Sequence, residues 1–568
     1  MSQQPRPSTT FHAITGQRDP AGRQEYSNPF AKKMFLVVDS VPEMQRAMAM
    51  TLNSFGAEKV EYAGKASDAL VKMMRYDFDV VLCDYDLGTG NDGLYLYEEA
   101  KERNLLKQSC VFMIVSGERR AAKVVSAAEL APDGYLLKPF TGDELGRRLE
   151  VAMRRRAAFA VVDDALMGHD YLGAIDACNK KIAERGEFTL DFMKLKGSLA
   201  LKIGDYDSAQ ALYRQVLQVK DLQWAKLGMA KALVGLKQPE PALAMFEQVV
   251  EDNDRVMEAY DWLAKLYQDN HELQKAQDVL KRATEIAPAT VRRHQVLAQV
   301  AEENGDLAQA RSAYSTTLEL AKASWHRSPS HYASLVRVQL ACNEKTEAAR
   351  TLASLRRDYK FNPEGEWMAD VVDSTIQSQS GNKQAAERLL YEAAEKLGQL
   401  GKLKDDDKLE FARACYAQGH HELGNQVARD MVRNHHDNQA LLQKLSAMFD
   451  QVGLGDAGRQ LIAGSVQDII DLNNQAVRMA QSGEHDRAIE LFHQALEEMP
   501  HNIQLMLNLV NAVIAQSHRH GWHESHVHLA HQLLQKVREA EPANSKFQKL
   551  LQAWRQLIDQ HQKREYML

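Results

Sequence analysis

Four polar residues close apolar runs in the first quarter of the chain. Asp39 follows "MFLVV", Asp84 ends "FDVVLCD", Ser116 lies at the end of "CVFMIVSG" and Lys138 follows "DGYLL". Two carboxylates, a hydroxyl and an ammonium are the groups a metal and phosphate site needs. Carboxylates hold a hard cation, and an ammonium neutralises anionic oxygens. Any one of these residues could be a helix cap or a solvated tip. Four of them at four strand ends form a much narrower pattern.

The elements that must position them alternate. Apolar runs at 34–39, 59–63, 78–84, 110–117 and 133–140 read as strands. Between them, "VPEMQRAMAMTLNSFG", "SDALVKMMRY" and "DGLYLYEEAKERN" carry helical apolar faces, and "TGDELGRRLEVAMRRR" opens on an N-cap threonine. Strand–helix alternation over about 120 residues predicts a parallel sheet covered on both faces. Ligands of such sheets bind beyond the carboxyl ends of the strands, where these four residues stand.

Composition narrows the function classes. At 568 residues the chain is too long for one core, and 45% hydrophobic with 26% charged residues fits a globular protein. Net charge is −7 and no segment is strongly basic, which argues against nucleic acid as the main partner. Five scattered cysteines without CxxC spacing suggest a reducing compartment, so a cytoplasmic location is expected. No apolar run is long enough to span a membrane, and residues 1–33 read as a disordered arm. No Walker loop, GxSxG, HExxH or dinucleotide fingerprint is present, so no enzymatic activity is expected. The histidines of "HRHGWHESHVHLAH" (518–531) read as a solvated loop and helix start.

Residues 34–155, through "VVDS", "LCDYDLGTGNDG", "IVSG" and "YLLKPF", resemble the receiver domain of two-component response regulators. The resemblance implies an α/β flavodoxin-like fold with a five-stranded parallel sheet. It makes Asp84 the phosphoacceptor for a histidine kinase or phosphotransfer protein. Lys138 and Ser116 would contact the phosphoryl or carboxylate oxygens, and Tyr135 would be the aromatic switch. Mg2+ would be held by Asp39, Asp84 and the backbone carbonyl of Asp86. A cis Lys138–Pro139 peptide is also implied. Ser40 departs from the family, which usually has a second acid there, so a scaffold with an inert receiver is the alternative reading.

From 157 to 568 the pattern is helical. Ala209, Ala242, Ala276 and Ala310 recur at spacings of 33 or 34, each followed four residues later by Tyr213, Phe246, Leu280 or Tyr314. This period resembles tetratricopeptide repeats, an all-α solenoid whose units bury their faces only by stacking. Clear units are expected over 192–322 and 470–502, a degenerate stretch over 330–465 and a capping helix at 545–562. Such a surface typically binds protein, here an unidentified partner. Lys194, Asp261, Lys265, Gln295, Gln299 and Arg337 are the expected polar residues of its groove, with membrane insertion not expected.

Overall fold

The computed structural model describes residues 28–87, 93–117, 132–322, 326–400 and 403–568. The expected arm up to residue 27 and the 88–92 part of "LCDYDLGTGNDG" lie outside the described residues. The chain forms two compact units, one ending at Asp164 and the other beginning at Ala165.

The first unit holds β1 (Met34–Val38), β2 (Lys59–Ala63), β3 (Val80–Asp84), β4 (Val111–Ser116) and β5 (Gly134–Leu137) in one sheet, ordered β2-β1-β3-β4-β5 and parallel throughout. Side chains alternate across a strand, so each apolar run feeds two cores. Phe35, Val37, Val80 and Leu82 face one layer with Leu145, Leu149 and Met153. Leu36, Val38, Val81 and Cys83 face the other with Leu70, Tyr97 and Phe112.

Among the described residues, the covering helices are α1 (Pro42–Ser54), α2 (Ala66–Met73), α3 (Gly93–Glu102) and α4 (Gly142–Ala157). Proline at the first position of α1 suits a helix start, because its missing N–H would have no partner there. Thr141 caps α4 by accepting a hydrogen bond from Glu144 N at 3.2 Å. A further helix, α5 (Ala160–Met167), follows. Buried Asp163 on it accepts from Ser109 N at 3.1 Å, which carries the unit past residue 155.

The second unit is a run of antiparallel helix pairs, from Tyr171–Ala183 to Ser545–His561. Close approach explains the small–large pattern. A Cβ on Gly197 would sit 2.6 Å from Tyr213 Oη, and one on Gly228 would overlap the same ring. The turns within successive pairs repeat one device. Gly204, Lys237, His271, Gly305, Asn343, Gly381, Gly419, Gly453 and Gly483 all have positive φ. The residue after each donates its N–H to the carbonyl five positions earlier, as Asp205 N does to Ala200 O at 2.9 Å and Asp306 N to Ala301 O at 2.8 Å. This is a left-handed helix stop that satisfies orphaned carbonyls. The next helix starts at once, and Asp205 and Asp306 cap it with their side chains. Among the described residues, helix pairs continue through the 330–465 stretch where the sequence repeat is irregular.

Candidate functional site

Strand register brings the four polar residues together. Val38 pairs with Cys83, so Asp39 and Asp84 follow at the same edge of the sheet. Asp84 pairs with Val115, and Ser116 is next. Ser116 pairs with Leu137, and Lys138 is next. Each side chain is therefore delivered by backbone pairing to the carboxyl edge, at the β1/β3 crevice where the connections diverge.

Lys138 is the centre of the cluster. Its Nζ lies 3.1 Å from Asp39 Oδ2 and also donates to Asp84 Oδ2. Its backbone N–H donates to Ser116 O at 2.7 Å, and the Lys138–Pro139 peptide is cis. Asp84 Oδ1 accepts from Asp86 N at 3.0 Å, and Asp39 Oδ1 from Val41 N at 2.9 Å. Gln45 secures the Asp39 backbone by donating to its carbonyl at 2.6 Å.

The electrostatics follow from the charge count. Burial pushes the Asp84 carboxyl above its ordinary range, against the hydrogen bond and charge of Lys138, and the charge of Asp39 adds to the rise. Burial works to lower the Lys138 ammonium, but the hydrogen bonds and charges of Asp84 and Asp39 together leave it raised. The lysine stays protonated, and one positive charge faces two carboxylates.

Ser40 is exposed at the rim, and its hydroxyl reaches the carbonyl of Asp86 at 3.5 Å, the outer limit of a hydrogen bond. Ser116 is 2% exposed. Tyr135 is half-buried against the α2–α3 side of the sheet, and its carbonyl accepts from Arg148 Nη1 at 3.0 Å. Gly93 matters for a reason outside the strand pattern. It opens α3 with its N–H on Tyr85 O at 2.8 Å, and a Cβ there would overlap the Asp84 carbonyl. The sole sequence signal for it is a glycine just ahead of a helical run.

Comparison with known proteins bears on this geometry. A model of the response regulator receiver domain matches residues 35–150. The chemotaxis protein CheY1 of Helicobacter pylori is 32% identical over 119 residues, covering 21% of this chain and 94% of that protein. The chemotaxis protein CheY-3 of Vibrio cholerae is 29% identical over 120 residues, covering 21% of this chain and 91% of CheY-3. The chain belongs to the response regulator receiver family. Tetratricopeptide repeats follow the receiver, with matches at 200–266, 258–290 and 479–518. Among solved structures, a tetratricopeptide repeat protein from Parabacteroides merdae superposes at a TM-score of 0.30 with 13% identity, covering 45% of this chain and 97% of that one. Pseudomonas aeruginosa PilF gives 0.29 with 15% identity, covering 39% and 94%.

Behind the receiver, the expected groove residues divide. Lys194 and Lys265 are exposed, with Lys265 Nζ over the Trp262 ring at 5.2 Å, and Gln295 and Gln299 are half-buried. Asp261 is engaged within the array: Arg293, 2% exposed, holds both its oxygens at 2.8 and 2.9 Å. Arg337 does not present a free charge to a groove. Its guanidinium forks onto Glu302 at 2.8 and 2.9 Å and onto Glu410 at 2.6 Å to each oxygen. These pairs join helices far apart in sequence, so no local spacing announces them. Among the described residues, no group of three or more metal-ligating side chains is assembled at the histidine-rich 518–531 stretch, where the His523 and His526 rings stack at 4.1 Å. No described helix is long and apolar enough to cross a membrane.

Proposed function

We propose that Asp84 accepts a phosphoryl group from a histidine kinase or phosphotransfer protein, and that this controls protein binding by the repeat array. The observation that carries the reading is Lys138 reaching two buried-edge carboxylates, Asp39 and Asp84, from a neighbouring strand tip. The chemistry is consistent. A carboxylate attacking phosphorus forms an O–P bond while the donor's bond to phosphorus breaks, and the incoming oxygens bring negative charge. In this reading Lys138 would meet that charge, and Ser116 would donate a hydrogen bond to a phosphoryl oxygen. Asp39, Asp84 and the Asp86 carbonyl offer only oxygen donors, the set Mg2+ prefers. Bound there, the ion would neutralise phosphoryl charge. A new dianion on Asp84 then biases a two-state element, with Tyr135 as the side chain that changes position. Receiver domains and tetratricopeptide repeats are typically signalling and scaffold modules rather than catalysts.

A second reading, a constitutive scaffold with an inert receiver, has one observation in its favour. Ser40 supplies a neutral hydroxyl directed at the same Asp86 carbonyl that would bind the metal. Ser40→Asp separates the two. A working but charge-poor site gains metal affinity, whereas unchanged or reduced affinity supports the inert receiver. The output is tested by capture from cell extract with the full chain under phosphorylating conditions. Partner capture that differs between wild type and Asp84→Asn supports gating. Equal capture, with phosphorylation verified, supports the scaffold.

A further inference from the structure

The first and last helices of the repeat unit meet through a polar contact that no local sequence rule requires. Helix Ser545–His561 is anchored to its own neighbours by Phe547, Leu551, Trp554, Leu557 and Ile558, all 0% exposed. Another face carries Gln548 and Arg555, seven residues and hence two turns apart. Gln548 is 1% exposed. Its Oε1 accepts from Tyr171 N at 2.8 Å and Leu172 N at 3.3 Å. Its Nε2 donates to His169 O at 2.6 Å and Pro542 O at 2.7 Å. Both amide hydrogens and both acceptor directions are used, so this buried side chain is fully satisfied only when the two ends meet.

Arg555 adds charge to the junction. It pairs with Asp170 Oδ2, while Asp170 Oδ1 caps helix Tyr171–Ala183 by accepting from Gly173 N at 2.8 Å. Its Nε also donates to Leu568 O at 3.1 Å. The orphan N–H groups at the start of the first helix are thus covered by a side chain more than 370 residues away.

We infer that Gln548 and Arg555 form a clasp that closes the repeat unit on itself within one chain. The clasp opens separately from the repeats between its two halves. While it is closed, the first turn of helix Tyr171–Ala183 is withheld from any partner or second copy. The contact is made by polar side chains, whereas the repeats between bury large apolar clusters, as at Tyr332–Phe449 and Ile469–Ile558, so the clasp belongs to the low-stability end of the unit. This inference stands whether or not Asp84 takes phosphate.

The test is hydrogen exchange on the full chain, comparing wild type with Gln548→Leu and Asp170→Asn. The asparagine keeps the local cap and removes the charge from the Arg555 pair. Expected is exchange about tenfold faster at Tyr171 and Leu172 in the Gln548 variant, with a smaller gain in the Asp170 variant. Protection in helices Val291–Glu303 and Asp405–Ala417 stays at the wild-type level. Unchanged exchange at 171 and 172 overturns the clasp. Loss of protection throughout the repeats in both variants also overturns it, because the ends would then belong to one cooperative unit. Wild-type protection that falls on dilution would place the contact between chains and overturn closure in cis.

Discussion

The receiver and the repeat array both bury carboxylates beside a cation, yet the two clusters are built to opposite ends. In the array, Arg337 makes four hydrogen bonds to Glu302 and Glu410, and Arg413 stands 3.8 Å from Glu410. Tyr314 completes Glu302 with a 3.0 Å hydrogen bond. Two guanidiniums stand with two carboxylates; the planar fork of Arg337 is filled, while Arg413 Nε has no hydrogen-bond partner among the described residues. At the receiver's strand tips a single lysine, a point charge, serves Asp39 and Asp84. Negative charge is left over at the rim of the sheet, where the Asp84 carboxyl is pushed upward by burial. A balanced buried cluster holds helices together. An unbalanced one at a strand edge would, on the proposed function, receive another cation and an anionic group.

That contrast can be broken by removing the cation from each cluster. Arg337→Met leaves buried Glu302 to the Tyr314 hydroxyl and Glu410 to Arg413 at 3.8 Å. We expect a loss of about 3–5 kcal/mol in the repeat unit, measured by denaturant-dependent hydrogen exchange in helices Val291–Glu303 and Asp405–Ala417. Lys138→Met should cost the receiver less: Asp39 and Asp84 are as buried as Glu302 and Glu410, but they keep hydrogen bonds from Val41 N and Asp86 N and can bind a proton or an ion at the strand edge. Added magnesium should recover the receiver's loss and leave the array's untouched. Equal losses, both insensitive to magnesium, would erase the distinction.

Asp407 sharpens it through pH. This carboxylate is 3% exposed, its Oδ1 has no hydrogen-bond partner among the described residues, and burial raises it from 3.8 to about 6. The folded chain therefore binds this proton more tightly than the unfolded chain does. The penalty is absent at pH values below the unfolded pKa, grows as pH rises, and is complete above about 6. Asp407→Asn should stabilise the repeat unit at pH 7.5 by on the order of 2 kcal/mol and lose that advantage near pH 3.5. An unpaired charge in the array is then a liability, whereas at the receiver edge it would be, on the proposed function, the working feature. An equal gain at both pH values would show that ionisation is not the cause.

The smallest effects are expected at the turns. Lys237 occupies a left-handed position (φ 58°) that glycine fills at Gly204 (φ 76°) and Gly305 (φ 80°). Lys237→Gly should raise stability by about 0.5 kcal/mol and Gly204→Ala lower it by about 1 kcal/mol, both read from thermal unfolding. Opposite signs would show that neighbouring side chains, rather than backbone conformation, set these positions.

The strand tips were legible in the sequence because their logic is local. A polar residue that ends an apolar run in a parallel sheet reaches the carboxyl edge, and the registers around Asp39, Asp84, Ser116 and Lys138 follow from the runs themselves. Repeats were legible where the small residue and its large partner keep step, as at Gly197 and Tyr213. They faded where the turns fall out of step. Gly305, Asn343, Gly381 and Gly419 are 38 residues apart, about one helical turn more than the 33 or 34 between earlier turns. The extra residues enter a longer helix at Pro363–Gln379 or longer connections, so the pattern shifts while the pairing persists. Gly93, Arg337 and Gln548 were out of reach for another reason. Each is defined by a partner on a different element, and nothing in the adjacent sequence specifies it.

The central claim is that the unbalanced cluster at the strand tips makes Asp84 a phosphoryl acceptor. Intact mass measured after incubation with a small-molecule phosphodonor and magnesium tests it most directly. The account predicts one added phosphoryl group on wild type and none on Asp84→Asn. No addition to wild type under conditions where a control receiver reacts, or the same addition to Asp84→Asn, would contradict it.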